Sequence, residues 1–133
     1  MTTATYRTPH NPLAIQWDHA RTIWLRDVPL AFGEVKSSRP GREPHGVMVR
    51  LDGSGASCGC EAGAHCTIEK NSDATAAAYW ADWAILQPTD ELERVGRDHA
   101  FAADHYGIDQ WRRNQMDACA DEIAARLEDI SAA

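Results

Sequence analysis

The sequence predicts an α+β fold, and three observations carry the prediction. Val47, Val49 and Leu51 alternate with Met48, Arg50 and Asp52, the period of a half-buried strand. Everything after residue 71 follows the three- and four-residue spacing of amphipathic helices. Between the two lies Ser57-Cys58-Gly59-Cys60-Glu61-Ala62-Gly63-Ala64-His65-Cys66, which gathers three of the four cysteines and one of the six histidines. The 133 residues suit a single domain, 1–133, and a hydrophobic content of 44% with five tryptophans suits a folded chain. Residues 1–71 read as a helix, a small hairpin and the cysteine-rich knuckle, and residues 72–133 as an acidic helical half.

In chain order, Asn11-Pro12 has the form of a helix start, with Asn at the cap and Pro at the first helical position. Leu13, Trp17, Ala20 and Trp24 then recur every three or four residues, which predicts an N-terminal helix ending at Asp27-Val28-Pro29. A strand through Thr22-Ile23-Trp24-Leu25 competes with it, because those residues favour sheet. The short run Leu30–Val35 pairs as a hairpin with the strand at 47–51, and Asp52-Gly53-Ser54-Gly55 breaks that strand.

Three antiparallel helices follow. Ser72 caps the first, which carries Ala76, Tyr79, Trp80, Trp83 and Leu86 and stops at Pro88. Thr89 or Asp90 opens the second, with Leu92, Val95, His99 and Ala102 inward and Tyr106-Gly107 at its close. Asp109 caps the third, on which Met116, Cys119, Ile123, Leu127 and Ile130 form a stripe.

The cysteine cluster predicts a zinc knuckle. Cys58 and Cys60 flank one permissive glycine and Cys66 follows within reach of a tetrahedral ion. The fourth ligand is His65, or His45 at the head of the preceding strand, since adjacent residues such as His65 and Cys66 point apart in extended backbone. The competing reading is a set of reduced thiols, with or without a reversible Cys58–Cys66 disulfide. Two strands leading to Cys58-Gly59-Cys60, with a helix beyond, resemble part of the SWIM-type zinc finger over roughly 40 residues. The pattern departs from that family at Cys66-Thr67-Ile68, where the family's second half is Cys-x-His. The resemblance implies a finger that binds, with no catalytic role. Cys119, in an apolar stripe, reads as a buried structural thiol, and His99 as a half-buried, hydrogen-bonded histidine.

Charge divides the chain. Residues 1–71 hold eight Lys/Arg against seven Asp/Glu, a net of +1, and residues 72–133 hold five against thirteen, a net of −8, together the −7 of the whole. The acidic half would repel a nucleic-acid duplex and excludes direct binding there. It suits a protein partner with a basic surface, including a nucleic-acid-binding protein that it would inhibit, engaged through Asp117, Asp121 and Glu128. Tyr79, Trp80 and Trp83 cannot all face inward, which makes Trp80 or Trp83 a candidate anchor. No apolar run nears the ~20 residues of a membrane span and the start lacks a secretory signal, which predicts a cytoplasmic protein. The function expected is therefore a small intracellular binding or regulatory protein with a structural zinc. A small metal- or thiol-dependent enzyme built on Cys58, Cys60 and Cys66 is the first alternative, and a virion or assembly component the second. The sequence carries no phosphate loop, nucleophile elbow or deaminase signature.

Overall fold

A computed structural model describes residues 14–36, 41–59 and 66–132. Four antiparallel strands, β1 (Gln16–Leu25), β2 (Val28–Val35), β3 (His45–Arg50) and β4 (Ala56–Cys58), form one sheet in the order β1-β2-β3-β4. A one-turn helix α1 (Thr67–Lys70) leads into α2 (Ser72–Ile85), α3 (Thr89–His105) and α4 (Gln110–Ala132).

The α+β class stands, and the N-terminal helix is replaced by β1. The competing strand through Thr22–Leu25 is the one formed. Its β-branched and aromatic residues fit a pleated surface, and their helical spacing is a coincidence of where the tryptophans fall. The turn after them decides the matter. Arg26 takes φ +58 and starts a two-residue connection that folds Leu25 back onto Val28. The proposed cap Asn11-Pro12 lies outside the described residues. The expected hairpin exists as β2 and β3, from Leu30↔Arg50 to Val35↔His45, but as the middle of a four-stranded meander.

One face of the sheet is packed. Ala31, Val49 and Leu51 meet Ala76, Tyr79, Trp80 and Ala84 of α2, Leu92 and Val95 of α3, and Trp111, Ala118 and Cys119 of α4. All five tryptophans join edge to face or stacked across this layer: Trp17 on Tyr79, Tyr79 on Trp80, and Trp80 on both Trp83 and Trp111, which Trp24 covers. Such contacts add about 0.5–1.5 kcal/mol each beyond the area they bury. Gly33 makes room for the Trp17 ring, since a Cβ there would lie 2.7 Å from the Gln16 carbonyl and 3.0 Å from the ring.

Leu51 locks the two layers together. It is fully buried, its N–H donates to the Pro29 carbonyl, and its own carbonyl accepts from Trp80 Nε1 (3.4 Å) and Asn114 Nδ2 (3.0 Å). The β3–β4 turn docks on the start of α2 beside it. The Ser72 hydroxyl, expected as a helix cap, instead donates to the Gly53 carbonyl at 2.7 Å. Leu51, Gly53 and Ser72 thus link the sheet to the helices.

Candidate functional site

The cysteine loop is anchored at both ends in one place. Cys66 is buried with Ile15, Val47 and Ile68, and Cys58, half-buried at the end of β4, packs against the same cluster. Cross-strand pairing sets Cys58 opposite Val47, and His45 lies two residues before Val47 on the same face of β3. Cys60 and His65 lie outside the described residues. Among the described residues no three His, Cys, Asp or Glu side chains converge as a metal-binding group, so Cys58, Cys66 and His45 alone do not make a site. Ile68, which stands where the zinc-finger pattern would have its histidine, is a core residue at 5% exposure.

The helical surface carries the other candidate residues. Asp117, Asp121 and Glu128 are exposed, and their spacing keeps them within one narrow stripe of α4. Trp80 is 6% exposed and held by the Leu51 carbonyl, which corrects the expectation that it anchors a partner; Trp83 is half-buried behind it. The apolar stripe of α4 outruns its cover. Ile123 packs against the core, but Leu127 (59%) and Ile130 (70%), one and two turns on, are exposed, as is Leu86 (63%) at the end of α2. With 23 residues, α4 is longer than the 14-residue α2 and the 17-residue α3 that it packs against.

Among the described residues, the sheet's second face is open. A shallow depression of about 670 Å³ there is bordered by Asp18, Arg21, Phe32, Glu34, Met48 and Ser57, with the Arg21 guanidinium 4.0 Å above the Phe32 ring. Its floor is the cross-strand row Phe32, Met48 and Ser57. Among the described residues no histidine or cysteine borders it.

The histidines and the remaining thiol are accounted for by packing. His99 Nε2 meets Gln115 Oε1 at 2.7 Å, His105 Nδ1 meets the Phe101 carbonyl at 2.9 Å, and the Asp98 carboxylate is taken by Arg94. Cys119 is 1% exposed, and burial, with the Glu91 charge adding to it, pushes its thiol up to about 11. That thiol is inert at neutral pH. His19 lies tilted against Tyr79 with ring centres 4.8 Å apart, and burial holds its pKa below the usual histidine value although Asp18 pulls it up.

Sequence reasoning missed the most heavily bonded side chain in the helical half. Arg126 is buried on α4 and pairs with Glu122 at 2.7 Å. It also donates to the carbonyls of Ala84, Ile85 and Gln87 and to the Thr89 hydroxyl. These carbonyls lie at the end of α2, where that of Ala84 also accepts from the Gln87 N–H at 3.1 Å. The signal was present as a Glu-x-x-x-Arg pair close to the apolar stripe of α4, where solvated charge is out of place.

Fold and surfaces together define a small two-layer α+β domain, an antiparallel meander backed by helices, with two candidate surfaces and one candidate metal loop. Comparison with protein-family models, with curated proteins and with solved structures gives no match for this chain.

Proposed function

We propose that this chain is a binding protein whose acidic helical half engages a partner with a basic surface. The observation that supports it most is the exposed row Asp117, Asp121 and Glu128 on α4, with Leu127 and Ile130 uncovered on another face of the same helix. A row of exposed carboxylates fits a segment carrying Lys or Arg, and the uncovered Leu127 and Ile130 offer apolar surface on another side of the helix. A second copy of the same half is disfavoured, because it would bring a net −8 against another −8. The test is capture by the wild-type chain of an amphipathic Lys/Leu helical peptide and of a Glu/Leu control, at low salt and above. Binding of the basic peptide alone is expected, weakening as the screening length falls to about 10 Å at 0.1 M salt. Reversing Asp117, Asp121 and Glu128 to Lys removes that binding and leaves the melting temperature nearly unchanged, since exposed charges contribute little to stability. Equal capture of both peptides would remove the basis for this reading.

The same reading includes a structural zinc on the loop, with Cys58, Cys60 and Cys66 as ligands and His65 or His45 as the fourth. Its support is that Cys58 and Cys66, eight residues apart, reach one apolar cluster, so that the loop between them closes on itself. Zinc there would supply folding free energy, because the ligands are brought together only in the folded chain. About one zinc per chain is expected, lost in Cys58→Ser and Cys60→Ser and retained in Cys119→Ala. Metal analysis finding none in protein purified without chelator would contradict it.

A further inference from the structure

The first strand is interrupted in a way that neither the acidic helices nor the cysteine loop explains. From Trp17 to Thr22 the chain advances five positions while their partners, Gly33 and Ala31, lie two apart, so β1 carries three extra residues in a wide bulge. A bulge leaves residues outside the ladder and re-aims their side chains. This one is held from both faces of the sheet. His19 lies tilted against Tyr79 of the packed face, and the Asp18 carboxylate accepts the Ala20 N–H at 3.1 Å. The Arg21 guanidinium lies 4.0 Å above the Phe32 ring on the open face.

The bulge thereby borders the depression of about 670 Å³ with two opposite charges, Asp18 and Arg21. Among the described residues the Arg21 side chain makes no ion pair and no hydrogen bond, so its fork of donors is available to a carboxylate. Glu34 borders the same depression, two residues from Phe32 on β2 and on the same face, about 6.6 Å along the strand. Gly46 lies opposite Glu34, and a Cβ there would meet nothing within 4 Å, so no side chain fills the floor at that end. Phe32 and Met48, also opposite one another, make the rest of the floor apolar.

We propose that this depression binds a zwitterion of dipeptide size, with its carboxylate on Arg21, its ammonium between Asp18 and Glu34, and its apolar side chains on Phe32 and Met48. Charge, spacing and volume select that class. Two carboxylates at the border repel a purely anionic ligand such as a nucleic-acid strand, and Arg21 repels a purely cationic one. The two charged ends lie about two strand residues apart, roughly 7 Å, which is the span of an extended dipeptide and twice that of a single amino acid. A depression of about 670 Å³ falls within the range of small-ligand sites.

Titration of the isotope-labelled full chain with dileucine, read from backbone amide NMR shifts, tests the assignment. Saturable shifts in Phe32–Glu34 and Gly46–Met48 are expected, with a dissociation constant of about 1 mM or below. Dileucine amide and N-acetyl-dileucine each lack one charge and are expected to bind at least about tenfold more weakly. Arg21→Gln weakens dileucine by the same factor and leaves dileucine amide at its wild-type affinity. The double variant Asp18→Asn/Glu34→Gln weakens dileucine and leaves N-acetyl-dileucine unchanged, and its asparagine keeps the oxygen that accepts the Ala20 N–H. Gly46→Val fills the floor and abolishes binding with the fold intact, since its Cβ has room and valine suits a strand. The amide spectrum of each variant reports its fold directly. A dissociation constant above roughly 10 mM for dileucine overturns the proposal. So does equal binding of all three dipeptides, a set of shifts confined to residues away from the open face, or binding that Arg21→Gln leaves intact.

Discussion

The sheet and the helical half are built on different principles, although they share one core. In the sheet, order comes from backbone pairing and close approach: Gly33 lies under the Trp17 ring, and the Gly53 turn lies against α2. Among the described residues, the side of the sheet away from the helices stays open and the small cluster around Val47 and Cys66 has four buried members. In the helical half, a buried ion pair and a run of aromatic rings hold three helices at their junctions. Damage to the helices should therefore propagate to the sheet, whose packed face depends on them, whereas damage to the sheet edge should stay local.

The largest effect is expected at Arg126. Arg126→Ala leaves the Glu122 carboxylate buried without its guanidinium and removes one donor from each of three carbonyls and from a hydroxyl. Removing one partner of such a pair costs about 3–5 kcal/mol, enough to unfold a marginally stable domain. Urea denaturation followed by tryptophan fluorescence measures it. A loss under about 1 kcal/mol would mean that water replaces the guanidinium and that the junction is looser than its hydrogen bonds imply.

A smaller loss is expected where the halves join. Gly53 sits at φ +84, and a Cβ there would run into the Asp73 carboxylate and backbone. Gly53→Ala combines left-handed strain of about 1–2 kcal/mol with displacement of α2 from the turn. Asp73→Ala in the same chain relieves the clash and leaves the strain, so the double variant is expected to recover part of the loss. If Gly53→Ala alone is neutral in thermal melts, the turn is not a rigid contact between the layers.

How much of this was legible in the sequence differs between the halves. Helix boundaries were readable, because Pro88, Gly107 and the apolar spacing act over a few residues. So were the β2–β3 pairing, the buried Cys119 and the bonded His99, each decided by local pattern. β1 was assigned to a helix because the spacing of Trp17 and Trp24 suits one, while a turn at Arg26 with positive φ is unusual for arginine. Trp80 was offered to a partner because its donor could not be matched in advance to Leu51, 29 residues earlier. For the proposed metal loop, sequence spacing offers Cys58, Cys60 and Cys66 as candidate ligands, and the fold adds that Cys58 and Cys66 reach one cluster.

The smallest effect is a pH dependence confined to the sheet side of the core. His19 lies tilted against Tyr79, its Nδ1 is buried without a hydrogen-bond partner among the described residues, and burial holds its pKa below 6.5. Asp18 opposes that shift, and Tyr79, itself raised by burial, stays neutral through this range. Between the folded pKa and 6.5 the unfolded chain therefore binds more protons than the folded one. Stability from this group is complete above about pH 6.5 and declines as the pH falls through that value toward the folded pKa. Carboxylates such as Glu91, held low by the Arg94 hydrogen bonds, add an acid sensitivity of their own at lower pH. The two are separable by His19→Gln, which keeps a polar group of similar size without the titration. Denaturation of both proteins from about pH 7.5 to about pH 5 is expected to show the wild type losing stability first, with the curves parallel again below the folded pKa. Parallel curves across the whole range would mean that the imidazole protonates in the folded state as easily as in water, and that the contact of His19 with Tyr79 opens to solvent.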